Sequence, residues 1–272
     1  MKMNLLEQMA GGLTVIKTCK PLVHHITNYI SINDCANVTL AIGASPIMAN
    51  DSAEVAEVVA QASALVLNLG TPNTRMLESM LLAGRQANAL GIPVVLDPVG
   101  VGFTKIRTQT LEQLLLLVRP SAVRGNMSEI QHLAGIRADM RGVDSMAHAG
   151  DGGEFARLAA QKLGCLIAAT GEVDFISDGT TICRIENGDA MLSRITGSGC
   201  MTTSLVASCC GAMGASLAAV ASGVTFMGIA GEMARIALRE GEGLGTFRTR
   251  LVDALGNLTG RDILVKGRCS LE

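Results

Sequence analysis

The 272-residue chain contains no Trp, one Tyr and five Phe. So few rings argue against a platform on which exposed bases could stack. Charge is scarce as well. Only 17% of residues are Asp, Glu, Lys or Arg, and the formal net charge is -2. Duplex binding needs clustered Lys and Arg to displace counterions, so a nucleic-acid partner is not expected. The eight cysteines are scattered at Cys19, Cys35, Cys165, Cys183, Cys200, Cys209, Cys210 and Cys269, and none forms a C-x-x-C pair. The histidines offer only the neighbours His24 and His25, with no H-x-x-x-H spacing. Structural zinc is therefore not expected. The first residues, MKMNLLEQMAGGLTVIK, are too weakly apolar for a signal peptide. With so many unpaired cysteines, this points to the reducing cytoplasm. The apolar run over 203–230 is broken by Gly211, Gly214, Gly223 and Gly228. It reads as two buried helices rather than a membrane span.

What is present is apolar: 49% of the chain is hydrophobic, enough for one large core. Short apolar runs end in Gly, Asn or Asp at 63–70, 92–100, 121–126, 166–171 and 191–199. Helical patterns lie between them at 75–91, 108–120, 128–136 and 154–164. This alternation predicts βαβ units and an α/β fold, a mostly parallel sheet with helices on both faces. The segment over 173–192 carries turn signals at Asp178-Gly179 and Asn187-Gly188, so a small antiparallel patch is expected there. No repeat or linker divides residues 1–272, which read as a single domain, with AGDGGE at 149–154 as a mobile surface loop.

Open parallel sheets bind ligands at the carboxyl ends of their strands. Asn68-Leu69-Gly70, Asp97-Pro98-Val99-Gly100, Arg124-Gly125-Asn126, Thr170-Gly171-Glu172 and Thr196 to Cys200 all fall there. TGSGC suits a turn into a helix whose free N–H groups receive a phosphate, although a plain strand-to-helix turn uses glycine too. Asp97 is placed to hold Mg²⁺ through water or merely to cap a turn. Asn126 and Glu129 form N-x-x-E at a helix start, which reads either as a shared cation site or as a capping box. Arg124 ends an apolar strand, where a charge is costly unless an anion meets it. Cys200 at a helix start is expected to have its thiol pKa lowered by the helix field.

The segments PLVHHITNYI, GASPIMA, LNLGT, VLDPVGVG, AVRGNMSEI, ATGEVD and ITGSGCMTTS occur in that order from residue 21 to residue 204. Together they resemble the hydroxyethylthiazole kinases of the ribokinase-like superfamily. The resemblance implies transfer of the γ-phosphoryl group of ATP to the hydroxyl of 4-methyl-5-(2-hydroxyethyl)thiazole, a salvage step towards thiamine diphosphate. It would put the thiazole near Met48, Gly197 and Asn28, and ATP near Arg124, Thr170 and Asn126. Asp97 and Glu129 would place magnesium. Cys200 would be the catalytic base, standing where most ribokinase-like relatives carry Asp. The family also implies a homotrimer with pockets between subunits. Two segments depart from the pattern: His25 stands where Asn is expected, and GEGLGTFR at 241–248 replaces a G-P-G-[ST]-F segment. The nearest alternatives are a hydroxymethylpyrimidine kinase and an ATP-dependent hydrate dehydratase, both expected to carry Asp at position 200.

Overall fold

The computed structural model describes residues 4–136 and 152–272. In chain order its elements are α1 (Leu5–Cys19), β1 (Leu22–Ile26), α2 (Ile32–Ile42), β2 (Ser45–Ile47), α3 (Val55–Ala60), β3 (Ala64–Asn68) and α4 (Thr74–Leu90). There follow β4 (Val94–Asp97), α5 (Lys105–Leu117), β5 (Ala122–Asn126), α6 (Met127–Ala134), α7 (Gly152–Leu163), β6 (Leu166–Thr170), β7 (Asp174–Ser177) and β8 (Ile182–Ile185). After a 3₁₀ turn over Ala190–Arg194 come α8 (Ser198–Met213), α9 (Leu217–Ile236), α10 (Leu244–Asn257), α11 (Gly260–Lys266) and β9 (Cys269–Leu271).

The strands make one sheet in the order β2-β1-β3-β4-β5-β6-β7-β8-β9. The pairs from β2 through β6 are parallel, and those from β6 through β9 are antiparallel. The central strands are mostly apolar because both their faces are covered, with polar residues towards their carboxyl ends. Leu65, Leu67, Leu96 and Ile167 meet one helical layer, where Val59, Met80, Leu114 and Ile130 are buried. Val66, Val95 and Ala168 meet the other, with Leu205, Val220, Phe226 and Phe247.

The expected α/β sheet, its antiparallel patch and the split of 203–230 into two helices are all present. α9 has the length and hydropathy of a membrane span, but 83% of that stretch is buried inside the protein, as in a core helix. Three expectations need correction. Residues 191–199 form no strand; a 3₁₀ turn and the start of α8 occupy them. Of the expected loop at 149–154, residues 149–151 lie outside the described part, while Gly152 and Gly153 are buried in the first turn of α7. Asn187-Gly188 closes no hairpin, because β8 pairs next with β9 from the far end of the chain.

Candidate active site at the carboxyl edge of the sheet

The expected site residues gather where β1, β3, β4, β5 and β6 end. Asp97, the last residue of β4, is 1% exposed rather than a solvated turn cap. Its Oδ2 accepts hydrogen bonds from Asn68 Nδ2 at 2.9 Å and Thr203 Oγ1 at 2.8 Å. Its Oδ1 is buried with no partner. Burial pushes the Asp97 carboxyl up to about 6, against the pull of the nearby Arg124 cation and with a further push from Glu129.

Cys200 sits in the first turn of α8, whose Gly197 N-cap offers no side-chain acceptor to the first N–H groups. These amides are free to meet an anion. Gly197 has φ 83°, a left-handed conformation that glycine adopts without penalty. Gly199 leaves room for a close approach: a Cβ there would meet the Arg124 guanidinium. The guanidinium thus lies against the helix start. Its Nη2 donates to Thr170 Oγ1, and its buried Nε has no partner.

The Cys200 sulfur is half-buried and accepts from Asn68 Nδ2 at 3.2 Å and Asn28 Nδ2 at 3.4 Å. The expected fall in its thiol pKa is not found. Burial and the Asp97 charge push it up, outweighing the hydrogen bonds that pull it down. The helix field alone does not offset desolvation in so enclosed a place.

His25 is not a partner of Cys200. Its Nδ1 lies 3.0 Å from the Val23 carbonyl and must carry the proton, so Nε2 accepts from Ser204 Oγ at 3.1 Å. Burial holds His25 down at about 4, and it stays neutral under α8. His25 therefore makes no nucleophilic pair with Cys200.

The N-x-x-E pair is a capping box. Asn126 Oδ1 accepts from the Glu129 N–H at 2.9 Å, and Glu129 Oε2 accepts from the Asn126 N–H at 2.8 Å. Glu129 Oε1 also accepts from the Gly100 N–H at 2.7 Å, tying the loop after β4 to α6. Met48 follows β2, half-buried. The sequence places Asn68 at this edge but gives it no role there, and it does not single out Arg107. Asn68 is wholly buried and joins Asn28, Asp97 and Cys200. Arg107 donates to the carbonyls of Leu69, Val99 and Gly70 at 2.7–2.8 Å, clasping the loops after β3 and β4. Its position inside a helix with polar neighbours gave no signal.

Buried polar atoms without partners mark the same edge. Of seven such side-chain atoms among the described residues, four belong to Thr27, Thr71, Asp97 and Arg124, in or just after β1, β3, β4 and β5. Unsatisfied buried polar groups are rare in folded proteins, and their convergence on one rim is what a site for a polar ligand requires.

The profile of the Hydroxyethylthiazole kinase family matches residues 13–261. Hydroxyethylthiazole kinase of Alkaliphilus oremlandii is 50% identical over 267 residues, 98% of each chain. That of Alkaliphilus metalliredigens is 50% identical over 96% of each chain. The solved hydroxyethylthiazole kinase of Pyrococcus horikoshii superposes with TM-score 0.87 at 34% identity, covering 97% of this chain and 98% of that one. Pyridoxal kinase of Bacillus subtilis, solved with ADP, shares the fold alone, with TM-score 0.54 and 19% identity.

Proposed function

Because the chain belongs to the hydroxyethylthiazole kinase family, we propose that its carboxyl-edge rim moves the γ-phosphoryl group of ATP onto the hydroxyl of 4-methyl-5-(2-hydroxyethyl)thiazole, with Cys200 taking the hydroxyl proton. The observation that carries this is the meeting of Cys200 Sγ, the free Asp97 Oδ1 and the unpartnered Arg124 Nε beside an uncapped helix start. The alcohol oxygen attacks the γ-phosphorus as the bond to the β,γ-bridging oxygen breaks. The bonding electrons leave with ADP, and the alcohol proton passes to the Cys200 thiolate, which becomes the thiol. Positioning and charge neutralisation carry most of such a transfer, so a weak base suffices. The free N–H groups of α8 and the Arg124 guanidinium face the charge that spreads over the phosphoryl oxygens. Thr170 holds the guanidinium, and Asn126 stands at the same strand end for the nucleotide. Met48, Gly197 and Asn28 line the place of the thiazole.

Asp97 Oδ1 suits a hydrated Mg²⁺. Glu129, with both oxygens engaged by backbone N–H groups, would act through water and through its charge. Among the described residues no three His, Cys, Asp or Glu cluster to hold a metal. The remaining ligands would accordingly be water and phosphate oxygens, as Mg²⁺ prefers. Bound there, the cation would neutralise phosphate charge. The continuous sheet supports reading residues 1–272 as one domain. The homotrimer with pockets between subunits, and the cytoplasmic location, are part of the same proposal.

The test is ADP release from Mg²⁺-ATP with the hydroxyethylthiazole, with hydroxymethylpyrimidine and with no acceptor. Thiazole-dependent ADP is the expected result. Turnover with the pyrimidine alone would replace this reading with that of a different ribokinase-like enzyme.

A further inference from the structure

The orientation of two buried amides is dictated by their surroundings. Asn28 Oδ1 accepts from the Ile30 N–H at 3.0 Å, the Ser31 N–H at 3.2 Å and Ser31 Oγ at 3.2 Å. Backbone N–H groups cannot accept, so the oxygen must face them, and Nδ2 is turned towards Asn68 Oδ1 and Cys200 Sγ. Asn68 is pinned in the same way. Its Oδ1 receives the Gly70 N–H at 2.9 Å and Asn28 Nδ2 at 2.8 Å, which leaves Nδ2 for Asp97 Oδ2 and Cys200 Sγ. Neither side chain can flip without setting its amide against a backbone N–H.

We propose that Asn68 is a positioning residue for the phosphoryl transfer, a fixed donor that aims the Cys200 sulfur at the acceptor hydroxyl and holds that sulfur as an acceptor. The inference rests on Cys200 being the base. Sulfur is large and its hydrogen bonds are weakly directional, so a thiol on a free rotor would spend much of its time facing elsewhere. Two N–H groups arriving from β3 and from the end of β1 define one side of the atom and leave the other side for the proton. They also match the thiolate that must take the proton, because an acceptor of two N–H bonds is suited to carry negative charge. Asn68 supplies the shorter of the two contacts. The same Nδ2 meets Asp97 Oδ2, which retains its bond from Thr203 when Asn68 is replaced.

A double-mutant cycle separates this role from a structural one. In the parent, Asn68→Ala is expected to lower kcat about tenfold while leaving KM for the thiazole alcohol within about twofold, the pattern of an interaction used in the transition state. In Cys200→Ala the same change should alter kcat less than about twofold, because there is no sulfur left to aim. Asn68→Asp keeps an acceptor for the Gly70 N–H but presents no donor to sulfur, and it should lose at least as much kcat as Asn68→Ala. Thermal melting of each variant separates a lost donor from a lost fold, and a melted Asn68→Ala hands the cycle to Asn68→Asp. Equal losses of kcat in both backgrounds would overturn the positioning role and leave the base intact. Full activity in Cys200→Ala alone would remove the base, and this inference with it.

Discussion

At the scale of single residues, the proposed chemistry turns on Cys200. Burial and Asp97 raise its thiol pKa, so near neutral pH the sulfur is mostly protonated. A base must be deprotonated, so with Cys200 as the base kcat/KM should climb as pH rises through the alkaline range. Cys200→Asp, ionised already at neutral pH, should stay active, show no such climb and gain rate near pH 7, whereas Cys200→Ala should lose about 10² in kcat with little change in KM. ADP-release profiles from pH 6 to 10 check all three. A second residue acts by what it lacks. Gly199→Ala would push Cβ against the Arg124 guanidinium, and we expect KM for ATP to rise about tenfold with KM for the alcohol little changed, read from initial rates. The rim was legible in the sequence because Gly, Asp and Asn punctuate apolar strands at one edge. The thiol pKa was not, since it depends on desolvation and on a carboxylate 103 residues away (200 minus 97). Asn68 was placed at that edge but given no role, because an Asn two residues before Gly70 looks like ordinary turn chemistry.

At the scale of elements, α8 carries the proposed base, and α9 packs against α8. Gly223 of α9 lies so close to Val206 of α8 that a Cβ would stand 2.5 Å from the Val206 backbone. Gly223→Val should therefore cost about 1–3 kcal/mol, measured by urea denaturation, and should lower kcat as α8 is pushed aside. The helices α4 to α7 were readable from their periodicity, as were β3 to β6 from unbroken apolar runs. β1 and β2 were missed as strands. β1 reads LVHHI, and two adjacent histidines do not look like a sheet interior. Each is accommodated by a carbonyl: His24 Nε2 meets Ala49 O at 2.8 Å, and His25 Nδ1 meets Val23 O. β2 is three residues at the sheet edge, and β9 three more that pair with β8 from 84 positions beyond its end (269 minus 185). Pairing at that distance leaves no local trace.

For the whole molecule, pH acts on stability through groups with opposed signs. The folded protein holds His25 near 4 rather than 6.5. Below pH 6.5 the unfolded chain takes up a proton that the folded one refuses, so this group erodes stability as pH falls from 6.5 towards 4. Asp97 and Asp174, raised by burial to about 6 and about 7, do the reverse. Each favours the folded state at low pH and loses that contribution as pH rises from 3.8 through those values. His25→Asn should flatten the acid side, where the parent loses up to about 1.4 kcal/mol per pH unit to this residue. Urea midpoints at pH 7 and pH 5 measure the difference.

The unpartnered atoms of Thr27, Thr71, Asp97 and Arg124 carry a consequence for the protein's lifetime. Each holds hydrogen-bonding capacity that no protein group meets, which a bound polar ligand would use. Adding Mg²⁺-ATP should raise the melting temperature by several degrees, as any ligand confined to the native state does. Without nucleotide that added margin would be absent, and limited proteolysis with and without Mg²⁺-ATP would read the difference.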